Sequence, residues 1–280
     1  MRRTIALFAA FGMACALPNV SFAQAGEGVE SSENIAAVLA DSRRDEDRAR
    51  DVYRHPAETL AFFQVEPGMA VVDYMPSSGW YTRVLVPYLG SEGHYIGLNP
   101  KVAPDATGFM ASLRNYSEKL PAQVEEWVGD DGTEITGVNL GSVPESLDGT
   151  VDRFLIFREM HNILRNNWLQ PTLVEARKLL KDDGLIGVVQ HRAKEDAPAS
   201  YTDGNKGYLR QKDVIALFEA HGFDLVNSSE INANPKDPAN HVNGVWMLPP
   251  GLGGATDETR PALEQIGESD RMTLLFRKRP

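Results

Sequence analysis

Short apolar runs alternate with helical runs through the middle of the chain, and this alternation restricts the fold more than any single motif. Ala70–Asp73, Tyr95–Leu98, Val151–Phe157 and Leu185–Gln190 have strand length and few polar residues. Helical runs follow them at Tyr81–Leu89, Thr107–Leu120, Pro171–Lys181 and Leu209–His221, and a further strand is expected near Thr133–Leu140. Strands that are apolar throughout must be covered on both faces; the helices supply that cover and the crossovers of a parallel sheet. The expected fold is therefore α/β: a Rossmann-like, doubly wound, mostly parallel sheet. The end differs. Asp224–Ile231 and Arg271–Arg277 read as strands with no convincing helix between them, so a C-terminal antiparallel hairpin is expected at the sheet edge. The connection between them, Asn232–Asp270, is rich in Pro, Gly and Asn, and loops of this length serve as lids, binding loops or disordered segments. Within it Gly244–Leu248 could add a short strand.

The start of the chain has a different character. Arg2 and Arg3, an apolar run over Thr4–Leu17, and the small-residue exit Ser21–Ala25 have the layout of a secretory signal, with cleavage expected after Ala23 or Ala25. The arginine pair also permits a twin-arginine route. No other run approaches the roughly 18 apolar residues needed to span a bilayer, so no transmembrane segment is expected in a mature chain. The single cysteine, Cys15, lies inside the signal, which leaves a mature chain no thiol chemistry and suits a periplasmic or secreted location. The formal charge is −11. An acidic chain without a basic stripe repels phosphate backbones, which argues against nucleic acid as a partner and leaves a small-molecule ligand or substrate. Residues 26–280 read as one domain: a flexible leader, then N-terminal helices at about 33–64, then the sheet. The densely charged helix expected over Asp45–Arg54 reads as a solvated face, and Pro56 opens the next helix at its first position.

With the order of elements in hand, the chain resembles the class I S-adenosylmethionine-dependent methyltransferases and, more narrowly, a group of exported proteins described as predicted methyltransferases. The residues that carry the likeness are Tyr53–Leu60, Gly79–Thr82, Arg158–Asn162 and Gly267–Met272. They lie within residues 45 to 278. The resemblance implies S-adenosyl-L-methionine as cofactor, bound in the crevice between the strand ending at Asp73 and the strand ending at Phe157. The family pattern after the first strand is an acid followed by glycines at alternate positions. Here Asp73 keeps the acid, Met75 and Ser77 replace the first two glycines, and Gly79 keeps the third. The loop is either a binding turn or an inert one. Asn99 stands where the family places the acid that accepts from the ribose hydroxyls. Tyr81 would flank the ligand or serve packing.

Arg158, Glu159 and His161 follow the fourth strand directly, and His191 follows the fifth. A histidine there suits proton removal before methyl transfer, and arginines suit an anionic acceptor. Structural readings stand beside these: an ion pair for Arg158 and Glu159, an N-cap or core position for His161. Arg54 and His55 precede a helix that could fold over the mouth. Asp237 and His241 have no third ligand at metal spacing, and Trp246 reads as packing. Three functions are weighed: an exported methyltransferase, a non-catalytic binding protein on the same fold, and a serine hydrolase suggested by Met75–Gly79. The bulk of Met75 and the loop's place after the first strand argue against the last.

Overall fold

A computed structural model of the chain describes residues 34–280; the expected export signal at 1–25, Cys15 and the leader at 26–32 lie outside the described residues. A helix over 34–40 (α1) leads through short 3-10 turns at Ser42–Arg44 and Arg48–Arg50 to α2 (Asp51–Arg54) and α3 (Pro56–Phe62). The sheet region then runs β1 (Ala70–Tyr74), α4 (Thr82–Leu89), β2 (His94–Asn99), α5 (Gly108–Ser112), α6 (Tyr116–Val128), β3 (Glu134–Asn139), β4 (Val151–Phe157), α7 (Met160–Arg165), α8 (Leu169–Leu179), β5 (Leu180–His191), α9 (Gln211–Ala220), β6 (Phe223–Ser229), α10 (Arg260–Ile266) and β7 (Arg271–Lys278).

The strands form one sheet in the order β3-β2-β1-β4-β5-β7-β6. The first five are parallel, and β7 runs antiparallel to both β5 and β6. Successive side chains leave a strand on opposite faces, and here both faces are buried. Val71, Leu155, Val189 and Leu275 pack in the layer formed with α3, α4 and α6. Val72, Phe154, Val188 and Leu274 pack in the other, against α8 and α9. This two-sided burial is why the strands are apolar throughout rather than alternating.

Several boundaries differ from the sequence expectation, each for a physical reason. The expected helix over Thr107–Leu120 is two helices, and the second extends to Val128 because Tyr116, Leu120, Val124 and Val128 recur every fourth residue and are all buried. In the long connection, Gly244–Met247 is a 3-10 turn rather than a strand, and Arg260–Ile266 is helical. The charged segment before α3 is solvated only in part: Asp45, Glu46 and Arg48 are exposed, but Asp47 and Arg54 are buried, as is Arg44 just before them. His55 joins α2 to α3 in a left-handed conformation and makes no side-chain cap hydrogen bond.

The centre of the sheet is packed tightly enough to exclude side chains. Gly187 pairs with Leu155 and Leu275, and a Cβ there would stand 2.6 Å from the ring of the buried Phe63. Gly187→Val is expected to lower stability by about 1–3 kcal/mol through overpacking. The readout is a lower urea midpoint at unchanged m value.

Candidate functional site

The loop after β1 retains the backbone of a glycine-rich turn although two of its three glycine positions carry side chains. Met75, Ser77 and Gly79 adopt φ of 53°, 58° and 74°, so every alternate position is left-handed. For an L-residue that conformation costs about 1–2 kcal/mol. Neighbouring structure holds it: the Met75 amide donates to the Leu98 carbonyl at 2.9 Å, and the Gly79 amide to the Pro76 carbonyl at 2.9 Å. Gly79 has a second requirement, since a Cβ there would lie 2.3 Å from the Trp127 ring.

Above the carboxyl ends of β1, β4 and β5 lies a cavity of about 350 Å³. Chain order in the sheet reverses between β1 and β4, and doubly wound folds bind ligands at such a reversal. Asp73, Ser77, Tyr81, Arg158, Glu159, His161 and His191 all line this one cavity, although they come from three strands and the segments that follow them. Gly79 and Asn99 do not reach its wall. The long connection forms a roof through Trp246, Leu248 and Pro250, so Trp246, 41% exposed, is a wall of the site rather than packing. Arg50, Trp80, Glu268 and Ser269 also line the cavity, and no reading of the sequence placed them there. The adjacency of Glu268 and Ser269 to a strand end was the available signal.

The walls are electrostatically unlike. Burial pushes the Asp73 carboxyl up to about 7 despite a hydrogen bond from the Tyr95 hydroxyl at 2.9 Å, and the Thr82 hydroxyl is in turn 2.8 Å from that of Tyr95. Burial also raises Glu159 to about 7, while Asn162 Nδ2 donates to its Oε2 at 2.5 Å. His161 is driven down to about 4 by burial, with Arg165 and Arg158 adding to the effect. Burial likewise holds His191 well below its ordinary value; its Nδ1 is 2.6 Å from Ser269 Oγ and its ring centroid 5.7 Å from that of His161. Both imidazoles are therefore neutral near pH 7, and the groups shifted toward that pH are the carboxyls of Asp73 and Glu159 rather than His161. Tyr81 lies flat against Phe157 at 3.5 Å between centroids. Arg158 takes a left-handed φ of 64° directly after β4. It does not pair with Glu159: within the described residues its side chain makes no hydrogen bond and no ion pair, and its buried Nε has no partner.

The cavity stops short of the β2 side. Met75 packs with Leu98 and Leu113, and Asn99 is 1% exposed beneath the segment that leads to α6. Three buried polar atoms there have no partner: Asn99 Nδ2, Asn139 Oδ1 and Tyr116 Oη. Asn99 and Asn139 are register partners at the ends of β2 and β3. Against S-adenosylmethionine, the acid wall of the cavity suits the ammonium of its amino-acid half. The unpartnered atoms suit the hydroxyls and ring nitrogens of a nucleoside in chemistry, but the volume beside them is filled. Asp237 is a staple rather than a ligand: it accepts from Tyr208 Oη at 2.9 Å and from the Asp270 amide at 2.9 Å, and its Oδ1 is 3.0 Å from His241 Nε2.

The strand order, with β7 inserted antiparallel beside β5, is the class I methyltransferase fold. No protein-family model and no curated protein matches the chain. Among solved structures it is similar to 1,6-didemethyltoxoflavin-N1-methyltransferase from Burkholderia thailandensis, at 12% identity over 95% of this chain and 94% of that one, with a TM-score of 0.49. It is also similar to a SAM-dependent methyltransferase from Aquifex aeolicus, at 16% identity over 72% and 93%, with a TM-score of 0.47. A third likeness is a TehB-like SAM-dependent methyltransferase from Corynebacterium glutamicum, at 15% identity over 92% and 99%, with a TM-score of 0.42. Topology, not these distant likenesses, defines the fold.

The raised carboxyls set a pH dependence with a definite sign. A carboxyl whose folded value lies above its unfolded one stabilises the fold fully below the unfolded value, and that contribution is lost as pH rises through the folded value. For Glu159 the window runs from 4.5 to about 7. Glu159→Gln fixes the neutral form, so wild type and variant should be near parity at pH 4. By pH 8 the variant should be the more stable by about 3 kcal/mol in urea unfolding.

Proposed function

We propose that this chain binds S-adenosylmethionine and transfers its methyl group to a small anionic acceptor held in the cavity at the β1–β4 mouth. The observation that carries the reading is the convergence of Asp73, Arg158, Glu159 and His161 on one cavity at the point where this fold reverses its strand order. The cofactor, when bound, supplies a sulfonium-activated methyl group to an attacking oxygen or nitrogen. Asp73, Ser77 and Tyr81 lie where they would hold it, with Asn99 and Tyr116 available to a nucleoside once the cover over β2 shifts. Arg158 draws the anionic acceptor against the β4 end. Glu159 takes the proton of the attacking group at a carboxylate oxygen, because a base works best with a pKa near the ambient pH. Asn162 orients that carboxylate, and the neutral His161 presents Nδ1, which has no protein partner, to the same space. Trp246 covers part of the cavity above these groups.

Calorimetric titration with S-adenosylmethionine and S-adenosylhomocysteine tests this directly. Micromolar binding of both is expected, and a folded protein silent at millimolar ligand removes the methyltransferase reading. In Glu159→Gln, binding should persist while transfer of labelled methyl falls by about 10²–10⁴-fold. The second reading, a binding protein without chemistry, is favoured by the filled volume beside Asn99, and it predicts that silence. Export is proposed alongside either. Protein recovered from the periplasm should begin at Gln24 or Gly26 on N-terminal sequencing.

A further inference from the structure

The arginines at the Glu268 end of the cavity exceed the acids that serve them. Arg50 Nε lies 2.6 Å from Glu268 Oε1, while Arg54 Nε at 3.2 Å and Arg271 Nη1 at 3.1 Å share its Oε2. Arg158, with no partner of its own, completes a group of four guanidinia around one carboxylate. Nearby acids are committed elsewhere: Asp51 pairs with Arg44, Asp47 with Arg83, and Asp270 with Arg192. The acids on the opposite wall, Asp73 and Glu159, are raised to about 7 by burial, which weakens them as counter-ions. Arg54 is 1% exposed, yet Nη1 and Nη2 have no hydrogen-bond partner, and Arg271 Nε has none either. The Arg54 guanidinium carbon is 4.4 Å from the Trp80 ring centroid, and Trp80 and Glu268 both line the cavity.

Buried cations without counter-ions are costly, and a buried N–H without an acceptor costs about 1–3 kcal/mol. Arg158 lines the cavity without an ion pair, and the other three guanidinia share one carboxylate, so an anion entering there meets positive charge that the protein leaves unneutralised. We propose that Arg50 and Arg158, which line the cavity beside Glu268 with Arg54 and Arg271 buried behind that carboxylate, bind the doubly charged oxyanion group, phosphate or paired carboxylates, of a small molecule. This names the acceptor class for the function above, rests on the cavity rather than on methyl transfer, and stands if the methyl donor does not bind. Guanidinium forks match both oxyanions in geometry.

Thermal unfolding of the full mature chain, at constant ionic strength, with sodium phosphate, succinate or chloride added, provides the test. Phosphate or succinate should raise Tm with the logarithm of its concentration above Kd, by about 5–10 °C at a hundredfold excess over Kd, while chloride does not. A response to phosphate alone assigns a phosphoryl group, and one to succinate alone assigns carboxylates. A Tm no higher with either than with chloride overturns the proposal. Arg158→Gln should weaken the response at least tenfold, yet its ligand-free Tm should equal or exceed that of wild type, because an unpaired buried cation has been removed. A purely structural arginine gives the reverse, a lower Tm with the response unchanged, and that result also overturns the proposal. Arg50→Gln, at a partly exposed position, provides a second variant and should weaken the same response.

Discussion

The carboxylate of Glu268 is where two distant parts of the chain meet. Arg50 and Arg54 reach it from the N-terminal segment, Arg271 from the start of β7, and the cavity opens beside it. With Arg271 Nη2 also donating to the Tyr53 carbonyl at 2.7 Å, this one acid ties the segment before α3 to the strand that closes the sheet. Its neighbours hold it down to about 2, so the tie survives across the physiological range. The position of the N-terminal segment over the mouth, and hence the shape of the arginine wall, depends on it.

Much of the architecture was legible because two-sided burial writes an unbroken apolar run into each strand. Val71-Val72, Leu155-Ile156 and Val188-Val189 could hardly belong to anything else, and the antiparallel end followed from the missing crossover helix. The same logic failed for Asp45–Arg54. There, charge density suggests solvent, and nothing in the local sequence shows that Arg44 and Arg54 pair with acids under a tryptophan. Buried ion pairs are properties of distant partners: Arg54 and Glu268 are 214 positions apart.

The candidate site divides in the same way. Residues directly after strand ends were legible, since topology alone brings Asp73, Arg158, Glu159 and His191 to one edge. What the side chains do there was not. His161 reads as a base by residue type, but enclosure by apolar walls and neighbouring arginines keeps it neutral, and the same enclosure tunes Glu159. Asn99 matches its position by spacing but is buried, 1% exposed, and lies off the cavity wall. Trp246 could not be placed from a loop whose path only tertiary contacts define.

The turn after Asp73 has one further consequence. Glycine in such a turn would leave the empty protein free to sample many backbone shapes, and a ligand would have to select one. Met75 and Ser77 reach the same left-handed basin with far fewer alternatives open to them, so an incoming molecule meets a floor already set and loses little entropy in ordering it. Stiffness here comes from the very substitutions that make the loop look least like a binding turn.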